Sequence, residues 1–294
     1  MARIAQLAPE TLLEIFKWTV LSWSEETIEE RACEKVDRPT LRHISQVSTL
    51  WRDVAAPLHF RVMRLHPEQP HILSHVIATF KAYPNLSTYV HSLEIQPAWP
   101  YLPPSDGEPE LDWGGRVVGY DWTSMLSWAG TLINLEHLYI RQQPPYISAS
   151  TYSTLDLPAS AFRRVISFST HSTKHFDFHR WLIALIPNLK RLHITTKGQW
   201  YNDNHLLGTV RLHQYLFPTV CSTGLSEIFL MDLCMSQDGF DQLVRLSGPT
   251  LRSLECHRTY PSATDDLTLV IESAPLLTRV AWSQGSIIQN NRAT

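Results

Sequence analysis

The stretch "NLKRLHI", residues 188 to 194, decides the fold. Leu189, Leu192 and Ile194 follow the order apolar-x-x-apolar-x-apolar, and the last two alternate as in a half-buried strand. The same order recurs in "NLEHLYI" (134–140), "GLSEIFL" (224–230), "TLRSLEC" (250–256) and "LLTRVAW" (276–282). Weaker copies are "YVHSLEI" (89–95) and "FRRVISF" (162–168). The central apolar positions are Leu93, Leu138, Val165, Leu192, Ile228, Leu254 and Val280, with Ile166 fitting nearly as well as Val165. Their steps are 45, 27, 27, 36, 26 and 26 residues; four of the six match one unit of 26 to 27, and the two long ones hold insertions.

Helical patterns fall between these pieces: "DWTSMLSWAGTL", "FHRWLIALIP", "LHQYLFPTV", "GFDQLVRLS" and "LTLVIESAP". One short strand plus one helix at this period is the signature of leucine-rich repeats, in which each unit buries its apolar face on the next. The expected fold class is therefore α/β, with parallel strands forming a sheet and helices outside it. The alternative is an α/β domain whose strands and helices alternate without true repetition. Gln143, Lys197, Leu233, Thr259 and Gly285 stand where such repeats often carry Asn or Cys, so irregular turns are expected. Side chains flanking the strand apolars, among them Glu94, Tyr139, Arg141, His193, Phe229, Met231, Glu255 and His257, should line the concave face. Their mixture of aromatic, acidic and basic groups suits a protein target.

Ahead of the repeats the pattern is helical. "PETLLEIFKW" (9–18) has proline in its first turn and a broad apolar side. "LSWSEETIEERACEKVDRP" (21–39) is strongly charged and reads as a solvated, partly helical insertion. "LRHISQVSTLWRDVAAP" (41–57) splits near Ser48 into two short amphipathic helices, the second ending at Pro57. Three such helices make a small bundle with surplus apolar surface, to be buried on the rest of the chain or on another protein.

The totals exclude several classes. The 294 residues carry a formal charge of −3 with basic residues scattered along the chain, so no nucleic-acid footprint is visible. Cys33, Cys221, Cys234 and Cys256 lie far apart with no C-x-x-C pair and read as reduced thiols of an intracellular protein, cytoplasmic or nuclear. No apolar run approaches the roughly 18 residues of a membrane span, and Glu10 and Glu14 break any signal-peptide core. G-x-S-x-G, P-loop and H-E-x-x-H motifs are absent, and "GGRVVG" (114–119) lacks the glycine spacing of a dinucleotide site. His171, His175 and His179 have helical metal-ligand spacing but read as a solvated, non-ligating cluster. The Pro- and Gly-rich segment 97–115 carries Trp99, Tyr101 and Trp113, which either pack back on the repeats or anchor a partner.

The N-terminal segments resemble the F-box. Leu7, Pro9, Glu10, Leu13, Ile15 and Phe16 fit the first half of its pattern, and Leu41, Ile44, Val47, Ser48, Trp51, Arg52 and Ala55 the second. With repeats following, the chain is similar to the large F-box families of mushroom-forming fungi. The resemblance implies a three-helix domain over 1–65 and a repeat domain over 66–294 that binds a partner or target. It implies docking on a Skp-type adaptor, and through it on a cullin-RING ubiquitin ligase, by Leu7, Pro9, Glu10, Leu13, Phe16, Ile44, Val47 and Trp51. No catalytic residue, metal or cofactor is implied, because other subunits would transfer the ubiquitin. Two departures stand out: the long insertion 21–38, and Ser48 where many members have cysteine. A repeat scaffold whose helical segment is only a cap, with no ligase link, is the alternative; an α/β enzyme of another class is the third reading.

Overall fold

The computed structural model describes residues 7–23, 34–65, 70–95, 122–140, 157, 160–171, 181–195, 224–231, 237–257 and 267–283. It is a mixed α/β protein of two compact units, Met1–Val165 and Ile166–Thr294.

The first unit opens with α1 (Pro9–Val20), where Pro9 occupies the first turn and Leu12, Phe16 and Val20 recur every four residues on one buried stripe. Next come β1 (Leu21–Trp23) and β2 (Glu34–Val36), paired antiparallel with Leu21 opposite Val36 and Trp23 opposite Glu34. The charged insertion is therefore closed at its two ends by strand pairing, where the sequence suggested partial helix; its middle, 24–33, lies outside the described residues. Helix α2 (Arg38–Val47) is capped by Asp37, whose side chain accepts from Thr40 N at 3.1 Å. Helix α3 (Thr49–Arg61) is capped by Ser48, which accepts from Trp51 N at 3.1 Å. Ser48, where the resemblance expects cysteine, is thus the helix cap.

Pro57 does not end α3, contrary to the expectation from sequence: the helix runs one more turn, to Arg61. Proline forfeits one hydrogen bond to the carbonyl four residues back. Leu58, 2% exposed, holds the final turn in the bundle core with Leu12, Phe16, Val20, Leu41 and Ala55.

Helix α3 passes directly into β3 (Val62–Leu65). After α4 (Pro70–Ala82) and a 3-10 turn (Pro84–Tyr89) come β4 (Ser92–Ile95), α5 (Trp122–Ala129) and β5 (His137–Ile140). β3 pairs parallel with β4, and β4 with β5. The second unit holds β6 (Ser167–His171), a helical turn at 181–184, β7 (Arg191–Thr195), β8 (Glu227–Met231), α6 (Gln237–Ser247), β9 (Ser253–His257), α7 (Leu267–Ser273) and β10 (Arg279–Ser283). Here too each strand pairs parallel with the next in chain order.

Register follows one device. Lys190 N and Arg191 N both donate to Ile166 O, at 2.8 and 2.9 Å. Ser226 and Glu227 do the same to Lys190 O, Arg252 and Ser253 to Ser226 O, and Thr278 and Arg279 to Arg252 O. In the first unit Glu136 N and His137 N share His91 O. Each strand start is thereby placed on its neighbour, and Phe168, Leu192, Ile228, Leu254 and Val280 come into line.

Six of the seven central positions expected from sequence match this alignment. Val165 does not: it takes the place of Leu189, three residues earlier, and Phe168 is the central residue. The third apolar position of that strand is filled by Thr170, 1% exposed, so an apolar search slides back to Phe162. A strand was also missed before Leu93. Met63 lies opposite Leu93, and Phe60, Met63 and Leu65 carry the apolar order, although the sequence reading places them, beyond Pro57, in the helical domain 1–65. The boundary expected at 65/66 therefore falls just after a strand that already pairs with β4.

The end of α6 and the end of α7 approach closely at Gly248. A Cβ on Gly248 would overlap the Ser273 carbonyl oxygen and come within 2.7 Å of its carbon and 2.8 Å of Val244 O. Gly248→Ala should cost about 1–3 kcal/mol, the usual range for overpacking. Urea unfolding of the full chain checks this, and an unchanged midpoint would mean that the two helix ends separate freely.

Candidate functional site

In a strand, alternate residues face opposite sides. With Leu192, Ile228 and Leu254 buried on the helix side, Arg191, His193 and Thr195 share the other face with Glu227, Phe229 and Met231, and with Ser253, Glu255 and His257. His193, Phe229 and Glu255 stand side by side in register, as do Thr195, Met231 and His257. The structure thus brings together five of the expected target-facing residues.

Their chemistry is a short aromatic row beside a charged knot. The rings of His193 and Phe229 lie 5.4 Å apart, and those of Phe229 and His257 also 5.4 Å, tilted by 37° and 42°. Glu255 Oε1 meets Arg279 Nε at 3.1 Å and Oε2 meets His257 Nε2 at 3.5 Å. Phe229 and Glu255 are only 5% and 8% exposed, because lateral neighbours cover them; His193, Met231 and His257 are partly buried. The face therefore offers ring surface and imidazole edges, with the carboxylate already engaged. Burial, then the Arg191 charge, pushes the His193 imidazole down to about 4.

In the first unit Glu94 and Tyr139 are likewise in register and nearly buried. Glu94 Oε2 accepts from Arg64 Nε at 2.7 Å, its register neighbour on β3. Arg141 lies outside the described residues. Arg64 and Arg279, which hold the two carboxylates, were not picked out from sequence. The signal for Arg64 was the hidden strand at 62–65, and for Arg279 its place one residue before the aligned Val280.

The expected docking residues separate by exposure. Pro9, Glu10 and Val47 are open to solvent, Val47 at 62%. Leu7, Leu13, Ile44 and Trp51 are partly buried against the bundle core. Phe16, expected as a docking anchor, is 2% exposed and belongs to that core, where its ring lies 5.1 Å from that of Trp51. Its place on the stripe with Leu12 and Val20 turns it inward. Large apolar side chains that sequence reasoning left out of the set are exposed instead: Ile15 (44%), Trp18 (87%) and Leu50 (39%).

Among the described residues no group of three or more His, Cys, Asp or Glu is placed to hold a metal ion. His175, His179, "GGRVVG", segment 97–115 and three of the cysteines lie outside them, as do the five positions read for Asn or Cys. Cys256 is a free thiol, fully buried, and burial pushes its pKa up. No described helix is long and apolar enough to cross a membrane.

The depressed His193 pKa has a defined consequence for stability. The folded state favours neutral imidazole, so its contribution is intact above the unfolded value of 6.5 and is lost as pH falls from there toward about 4. Replacing His193 with Gln should flatten the decline in unfolding free energy between pH 7 and 4; an unaltered slope would place that titration elsewhere. Comparison with known proteins does not assign the chain: no family model matches it, and no curated protein does.

Proposed function

We propose that the chain is a substrate-recognition adaptor of an SCF-type cullin-RING ubiquitin ligase, its N-terminal helices forming an F-box and its strand-helix units an irregular leucine-rich-repeat domain. The observation that carries this reading is a three-helix module with its own small core that still exposes Ile15, Trp18, Val47 and Leu50. Exposed apolar side chains on a module already satisfied internally are what a docking face requires. The adaptor would sit on the helices through Pro9, Glu10 and Val47, with Leu7, Leu13, Ile44 and Trp51 shaping the surface from beneath. The target would lie on the sheet face around His193, Phe229, Met231 and His257. The mechanism is proximity: a held target meets the charged enzyme as though in an intramolecular reaction, and this chain supplies no acid, base or nucleophile.

A second reading is favoured by one feature. Helix α3 ends at Arg61 and β3 begins at Val62, so the helices join the sheet without a linker, as a cap on a repeat scaffold would.

Co-purification of the full chain with a Skp-type adaptor separates the two. Wild type should form a one-to-one complex, and a Pro9→Ala, Val47→Asp double variant, altered only at exposed positions, should stay folded and bind at least tenfold more weakly. Soluble wild type that ignores the adaptor would leave the scaffold reading.

A further inference from the structure

The meeting point of α2, α3 and β3 gathers four basic groups that the ligase reading does not use. Arg38 Nη2 donates to Val62 O at 2.8 Å, which pins its guanidinium at the start of β3, two residues from Arg64. Arg42 follows one turn along α2, on the same side as Arg38. A further turn on, Ser45 Oγ lies 2.9 Å from His59 Nε2 and donates its own proton to Leu41 O at 2.9 Å. The serine hydroxyl is then the acceptor for His59 Nε2–H, and Nδ1 is left as the position for proton uptake.

The groups crowd one another. Burial first, then Arg64 and Arg42, holds the Arg38 guanidinium below its ordinary range. Burial, then Arg38 and Arg42, does the same to His59. Nearby carboxylates do not relieve this: Glu94 is taken by Arg64 at 2.7 Å, and Asp37 accepts from Thr40 Oγ1 at 2.6 Å as it caps α2. Among the described residues Arg38 and Arg42 have no carboxylate within ion-pair distance. Among the described residues, two guanidiniums without a carboxylate partner thus lie beside a third and an imidazole, an arrangement that attracts an anion.

We propose that Arg38, Arg42, Arg64 and His59 form a binding site for a phosphate monoester. Subtracting the Arg64–Glu94 pair leaves about two positive charges, which matches the −1.5 to −2 of such a group near neutral pH. Guanidinium forks take phosphate oxygens in pairs, and His59 adds a donor when protonated. A phosphodiester backbone would instead need an extended track of cations.

Calorimetry of the full-length chain tests this with two probes, inorganic phosphate and a phosphoserine pentapeptide, the unphosphorylated peptide serving as control. Saturable binding is expected with at least one probe, at least tenfold weaker in Arg38→Gln, Arg42→Gln and unchanged in Lys17→Gln, which removes a cation on α1. Tighter binding of the phosphopeptide would identify a modified protein as the source, and equal binding free phosphate. If the double variant unfolds, Arg42→Gln alone serves, since Arg42 is exposed; it should weaken binding at least threefold. No saturable binding of either probe, or the same affinity in the Arg42 variant, overturns the proposal. Adaptor binding by Pro9→Ala, Val47→Asp reads out a different surface, so the two failures are distinguishable.

Discussion

The sharing of one backbone carbonyl by two successive N–H groups of the next strand is the constraint from which most of the second unit follows. Ile166, Lys190, Ser226 and Arg252 each accept such a pair. Because the second donor of each pair is the first residue of its strand, pairing starts at a set residue, and a slip of one residue would turn every side chain to the other face. Leu192, Ile228 and Leu254 are thereby buried on the helix side, and His193, Phe229 and Glu255 are aligned on the opposite side. The aromatic row is a by-product of backbone hydrogen bonding. No side chain of the row needs to choose its neighbour.

How far the sequence could be read depended on whether a single residue type carried the signal. Leu93, Leu138, Leu192, Ile228, Leu254 and Val280 were found because the apolar order around them is intact. Phe168 was missed because Thr170, buried but polar, fills a position that a hydrophobic search expects to be aliphatic. Met63 was missed because Phe60, Met63 and Leu65 directly continue a helix, and an apolar order gives no sign of where helix becomes strand. Pro57 misled in the opposite way: a local rule said stop, and burial of Leu58 one residue later outweighed the lost hydrogen bond. The candidate site was readable as rows on a face. The arginines that hold its carboxylates were not, because ion pairing depends on which strands become neighbours.

The helical module shows why docking residues are hard to name from a motif. A motif lists positions by residue type, and these mix core with surface. The rings of Phe16, in the core, and Trp51, half-buried against it, lie 5.1 Å apart and tilted by 58°, whereas Val47 is open. A bundle this small has room for about one stripe per helix in its core, so further apolar residues on those helices are either half-covered, as Leu13, Ile44 and Trp51 are, or open, as Ile15, Trp18, Val47 and Leu50 are.

The same device that buries the interior also accounts for the exposed end of the second unit. Each acceptor carbonyl lies two residues before the central position of its strand, and in β10 that residue is Thr278, before Val280. Among the described residues no later strand supplies the next pair of N–H groups. Val280 is 42% exposed, where Leu254, its counterpart one unit earlier, is fully buried. Apolar identity at this position follows the repeating pattern, whereas its burial depends on a neighbouring strand, and among the described residues Val280 has one on the β9 side alone.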